Sequence, residues 1–218
     1  MRIRYETLSA VLDTAYVTLM TNLLLAGACL PPLALLLTTD PARSWPLLAL
    51  LAPMGGPALC AVFAVLAAWT DDRTTTVIAT FTRAWRATWR RATGVTAAAT
   101  ALTIVLAVDI AAFWGRPAGA VAIPVLAVAI LLVAVTTLLT LALLVERPRV
   151  RLRDAARACA YLAIRRWYLT ALSLAVLTVL QALLISRPAI AVGLAAAPLL
   201  YVVWANSRNT LRAMEGTA

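Results

Sequence analysis

The sequence predicts an all-α, polytopic membrane protein, and three observations carry that prediction. Of 218 residues, 63% are hydrophobic and 13% charged; an ordinary soluble domain has about 45–50% apolar and about 25% charged residues. The apolar residues are gathered into blocks of roughly 18 or more, long enough to cross a bilayer as helices. The basic residues, finally, fall between those blocks with a strong bias. Mean hydropathy is +0.91.

Six spans result, forming one transmembrane domain over residues 1–218. They run from about Ala15 to Thr38, Pro46 to Thr70, Val95 to Phe113, Ala118 to Val145, Tyr168 to Ser186 and Pro188 to Ala205. Pro53, Gly55, Gly56 and Pro57 interrupt the second, because each Pro removes an amide donor from the helical ladder. A kinked helix is the simpler reading there, and a re-entrant piece followed by a span is the other. With the N-terminus in the cytoplasm, sixteen of the nineteen Arg lie inside and three (Arg43, Arg116 and Arg187) outside. That is the asymmetry of the positive-inside rule. Trp45 and Trp114 then fall at outer ends, and Trp69, Trp167 and Trp204 at inner ends, as an aromatic belt requires. Both termini are expected in the cytoplasm of a bacterial cell. Glu6 and Asp13 interrupt any signal-peptide pattern at the start.

The two long inner connections carry a helical pattern of their own. In Thr76–Ala92, Val77, Ile78, Phe81, Trp85 and Trp89 share one arc, and Arg83, Arg86, Arg90 and Arg91 fill the opposite one. Such a basic amphipathic helix suits the plane of the inner headgroup boundary and its anionic lipids. Arg147–Arg166 is a second case, with Leu152, Ala156, Cys159 and Ala163 opposite Asp154, Arg157 and Arg165. The recurrence hints at an internal repeat of roughly seventy residues, against which stands the abundance of Arg and Ala.

Polar residues inside the apolar blocks each need a reason. Asn22 and Gln181 suit helix-to-helix hydrogen bonding, with a ligand site as the sharper reading. Asp109 lies five residues before Trp114, about 7 Å along a helix axis, and so near the outer interface. Pairing with Arg116 or Arg187, or contact with outer water, is the structural reading; a substrate- or proton-binding carboxylate is the functional one. Cys29, Cys60 and Cys159 form no CxxC pair and read as small packing residues.

Chemistry is thinly represented. The chain has no His and no Lys, hence no imidazole base or ligand and no Schiff-base amine. It carries no phosphate-binding Gly-rich motif and no nucleophile elbow. No catalytic residues, cofactor, metal or nucleic-acid partner are expected, and the net charge of +10 is assigned to topology and anionic lipid.

"TNLLLAGACLPPLAL" (Thr21–Leu35), "GPALCAVFAVLAAW" (Gly56–Trp69) and "TFTRAWRATWRRATG" (Thr80–Gly94) resemble, in that order, motifs of the YesL-like family of bacterial membrane proteins. Phe81, Trp85 and Trp89 stand at its aromatic positions. The likeness is detailed over the first half of the chain and extends to the second only in span layout. Two departures are the insertion Thr38–Leu51 and Pro32 with the apolar residues after it, where the family pattern has Thr-x-Gly. The resemblance implies an integral membrane protein without an established activity, often found beside carbohydrate-import systems. The function expected is therefore a non-enzymatic membrane subunit or adaptor, accessory to carbohydrate uptake. Phe81, Trp85, Arg86, Trp89 and Arg90 would contact a transporter, a second copy or inner-leaflet lipid. The alternative is a small transporter for an apolar or weakly polar solute, built on the broken second span and Asp109.

Overall fold

The structure, a computed structural model, describes residues 2–72, 76–147 and 149–212, and every element among them is helical. Helices α1 (Arg2–Ala28) and α2 (Leu30–Thr38) meet at Cys29 with a bend of 75°. Pro31 and Pro32 lack the amide hydrogens that would bond the carbonyls of Gly27 and Ala28, so the ladder breaks. It resumes where the Leu33 amide donates to the Cys29 carbonyl at 2.9 Å. The first span, expected to be unbroken, is thus the sharply bent one.

Helix α3 (Pro41–Leu51), a 3-10 turn (Ala52–Met54) and α4 (Gly55–Asp72) run on as one line, and Arg43–Asp72 makes a single apolar helix of 30 residues. The second span is therefore one helix with a tightened turn in it. Pro57 cannot donate to the Pro53 carbonyl. The Thr96 hydroxyl of the next helix stands in, 2.9 Å from that oxygen and 2.9 Å from its own Ala92 carbonyl. Gly56 permits the approach: a Cβ there would lie 2.7 Å from the Thr96 side chain and 2.8 Å from the Ala92 carbonyl.

Helix α5 (Val77–Phe113) has 37 residues and measures about 55 Å, against about 30 Å of hydrocarbon. Here the structure corrects the sequence. Thr76–Ala92, expected as a helix of its own between two spans, is not separate: from Val77 it is the first part of the single helix Val77–Phe113, which is a candidate span as a whole. No proline falls between Val77 and Phe113, and Gly94 alone does not break the ladder. A tight turn with Gly115 at φ 78°, a conformation glycine adopts freely, leads into α6 (Gly119–Glu146).

Helix α7 (Leu152–Arg165) stands at 97° to α8 (Trp167–Ser186). The last stretch is helical throughout but irregular: α9 (Pro188–Ile190), a π turn (Ala191–Ala195) and α10 (Ala196–Arg212). By length and composition, three helices among the described residues can cross a membrane, or five if each bent pair counts as one span. The sequence leads one to expect six.

The core sits at one end of the bundle. Cys60–Val65 of α4 are fully buried, apart from Ala64, and are covered by Val77, Phe81 and Ala92 of α5 and by Leu138–Leu144 of α6. Cys159 and Leu162 of α7 and Leu200, Val203 and Trp204 of α10 complete it. At the other end Leu102, Val105 and Val108 of α5 and Val121, Val125 and Val128 of α6 are exposed. Apolar side chains bare on a helical hairpin are what hydrocarbon surroundings demand.

Candidate functional site

The first four turns of α5 carry an aromatic ladder on one side and cations on the other. Ring centroids are 6.0 Å apart between Phe81 and Trp85 and 5.3 Å between Trp85 and Trp89. The ladder climbs outward from the core: Phe81 is 4% exposed, Trp85 half-buried and Trp89 37% exposed. Arg83, Arg86 and Arg90 face away from the bundle and are exposed. Of the five residues expected to form a contact surface, Phe81 is therefore withdrawn into the core. Trp89, Arg86 and Arg90 remain outward, with Trp85 between. The cause is α4, whose largely apolar circumference must be covered. Arg91, half-buried, turns back and donates to the Val150 carbonyl just before α7.

A second cluster, which no motif announces, joins three helix ends. Arg208 of α10 grips Asp71 of α4 through two parallel hydrogen bonds, at 3.1 and 3.2 Å. Its Nε lies 3.3 Å from Glu146 of α6, and its guanidinium sits 5.1 Å from the centre of the Trp204 ring. The hydrogen bond to Asp71, helped by the charges of Asp71 and Glu146 against partial burial, pushes the Arg208 pKa further up. A cation whose folded pKa is raised loses that stabilisation only as pH climbs through the arginine range. The clamp is thus indifferent to pH near neutrality. Close by, the Asn206 amide donates to the Leu169 carbonyl at 2.5 Å and to Ser173 Oγ at 2.6 Å, tying α10 to α8. Apart from Trp204, on the same helix as Arg208, these partners lie at least 33 residues apart in sequence, so nothing short of the fold pairs them.

The three polar residues of the apolar blocks have different fates. Asn22, 1% exposed, donates from Nδ2 to the Gly193 carbonyl at 3.0 Å and accepts from the Ala197 amide at 2.6 Å. Residues 193 and 197 are an i,i+4 pair. The Asn22 amide bridges these two backbone groups, at the end of the π turn. Gln181 is exposed on α8. Asp109 is half-exposed near the end of α5 and forms no ion pair with Arg116 or Arg187 among the described residues. Of the two structural alternatives, pairing with an Arg is thus not made among the described residues, and the partial exposure of Asp109 agrees with contact with water. The three sites are not brought together.

Cys60 and Cys159 are buried and Cys29 partly so, all as free thiols. Burial pushes the Cys159 thiol up to about 11, against a small lowering by the Thr140 hydroxyl, so it stays protonated and inert. Among the described residues no three His, Cys, Asp or Glu side chains gather as metal ligands would.

The stretch that holds Asn22, the Gly56 contact, the aromatic ladder and Asp109 is also the stretch that other proteins share. Residues 18–110 match the family described as "Protein of unknown function, DUF624". YesL-like proteins fall within DUF624. The match spans part of α1 through most of α5 and leaves out the Arg208 end of α10. No curated protein and no solved structure matches the chain.

Proposed function

We propose that this chain is a non-enzymatic subunit or adaptor of a bacterial cell membrane, YesL-like in kind. In this reading it has six spans and both termini in the cytoplasm, and it presents the outward Arg face of α5 to a membrane transport partner. The observation that carries the reading is the length of α5. A rod about 25 Å longer than the hydrocarbon it crosses holds Arg83, Arg86 and Arg90 on a stiff support, backed by the best-packed part of the molecule. A helix meant only to anchor in lipid needs no such backing. The role beside carbohydrate uptake is the part supplied by family resemblance.

The test is purification of the full chain in mild detergent, beside a variant carrying both Arg86→Glu and Arg90→Glu. Expected is a stoichiometric membrane-transport protein with the parent and its loss with the variant, both chains eluting as folded species. If the parent elutes alone and the variant loses only binding to anionic vesicles, the Arg face is a lipid contact and the adaptor reading falls. The span count is tested separately. Ala118→Cys in intact cells should react with an impermeant thiol reagent, and protection would overturn the topology.

A further inference from the structure

The seam between α1 and the broken last helix holds two half-open chambers, one on either side of the Asn22 side chain. The first, of about 410 Å³, lies toward the Asp71 end between α1, α4 and α10, within the range of small-molecule sites. Thr14, Thr18 and Thr70 line it, the Thr70 hydroxyl donating to the Leu66 carbonyl of its own helix, and Trp69 and Tyr201 give it aromatic walls. Among the described residues, no charged one lines it. One turn along α1 the Thr21 hydroxyl is buried without a hydrogen-bond partner. The second chamber, about 140 Å³, lies toward the bend and is apolar, with Cys29, Leu180 and Ala191 in its wall. Ala197 borders the first chamber and Asn22 the second, and the hydrogen bond between them is the partition.

That partition has two discrete arrangements available. With the Asn22 amide wedged in, Gly193 and Ala197 are satisfied by the side chain. With it withdrawn, the Ala197 amide and Gly193 carbonyl stand at α-helical spacing and can bond one another, which satisfies the backbone again. A change that trades two side-chain hydrogen bonds for one backbone bond and leaves no orphaned backbone group is small enough for a ligand to bias. We propose that this seam is a binding path for a small uncharged molecule with hydroxyl or amide groups, and that Asn22 is the plug between its chambers. The described lining offers no charge to pair with an ion, which would be desolvated there without compensation, and this favours a neutral ligand. The inference stands on the chambers alone and does not depend on the subunit reading.

The experiment uses the full-length chain in detergent. In a Cys29→Ser background, the rate at which Thr18→Cys reacts with N-ethylmaleimide is measured with benzyl alcohol or with benzoate, two probes of one shape and different charge. Expected is slowing by benzyl alcohol and none by benzoate. If neither slows the reaction, or both do equally, the site is not one for neutral solutes. Phospholipid retained in the chamber, seen by native mass spectrometry together with no effect of benzyl alcohol, also overturns the proposal. For the plug, Asn22→Ala with Cys29 intact should raise Cys29 labelling roughly tenfold, the effect of shifting an opening equilibrium by about 1.4 kcal/mol. An unchanged rate in a variant that elutes like the parent removes the plug. Should Asn22→Ala not fold, Thr14→Trp, which fills the first chamber from one turn away and keeps both Asn22 and the Thr18→Cys reporter, should abolish any further slowing by benzyl alcohol, and persisting protection refutes the path.

Discussion

Residues 77–92 and 152–165 use one sequence device, Arg on one helical face and apolar residues on the other, and come to opposite ends. The first continues into the apolar remainder of the same helix; the second turns through 97° before the next helix begins. The difference lies in the residues just beyond each pattern and in the surface its apolar face finds. After Ala92 come Thr93, Gly94 and Val95 with no cap and no proline, and Phe81 and Ala92 are already docked on α4, so the ladder simply runs on. After Arg165 the ladder ends: the Arg166 amide makes a last helical bond to the Leu162 carbonyl, and the Ala163 carbonyl takes the Thr170 hydroxyl, which reaches back to it. Amphipathicity thus names the face a helix buries. It says nothing of the angle to the next helix, which the capping groups decide.

The sharpest way to break the comparison is at Phe81. If residues 77–92 are a docked part of a rod, Phe81→Ala leaves a hole in the core and should cost about 3 kcal/mol. Trp89→Ala, further out on the same ladder, should cost about 1 kcal/mol, and Arg86→Ala less than about 0.5 kcal/mol. Thermal unfolding of the three variants in one detergent gives the ranking. Equal losses at Phe81 and Trp89 would return the segment to the membrane surface.

A smaller effect is expected where the two segments touch. Arg91 of α5 holds the Val150 carbonyl, two residues ahead of α7. Hydrogen bonds from charged donors contribute about 1.5–3 kcal/mol, and part exposure brings Arg91→Ala to about 1.5 kcal/mol. Amide exchange over residues 149–156 should accelerate while α5 keeps its protection. Acceleration spread along α5 as well would mean that the segments are one cooperative unit and the contrast between them is overdrawn.

Much of the helix placement is legible in the sequence, because apolar blocks and turn residues are local. The angles are not. The prolines and glycines around residue 55 suggest a break that Thr96 and Gly56 in fact heal from a neighbouring helix. Pro31 and Pro32, set in an apolar run, look tolerable and yet produce the 75° bend. For the candidate site, the aromatic spacing correctly locates a stacked face, but only the presence of α4 decides that Phe81 is inside it. Asn22 can be marked as a polar residue needing a partner; that one partner is the Gly193 carbonyl, 171 residues away, is tertiary information. Arg208 is one of many Arg until Asp71 and Glu146 are brought to it.

The smallest expected effect is at the corner that distinguishes the second segment. Thr170 donates from its hydroxyl to the Ala163 carbonyl at 3.0 Å, an oxygen that a straight helix would have offered to the amide of residue 167. Valine matches threonine in shape and lacks the donor, so Thr170→Val removes the cap and little else. The cost of an orphaned carbonyl at a partly open corner is about 1 kcal/mol, enough to loosen the bend and too little to unfold α7 or α8. Spin labels on Arg157→Cys and Thr178→Cys, in a Cys29→Ser background, report the angle as a distance. The parent should give a narrow distribution and Thr170→Val a broad one extending to longer separations, as α7 swings toward the axis of α8. A narrow distribution unmoved by the substitution would mean that packing of Ala155, Cys159 and Leu162 against the core sets the corner without the cap. The two segments would then differ in what they dock on and not in how they end.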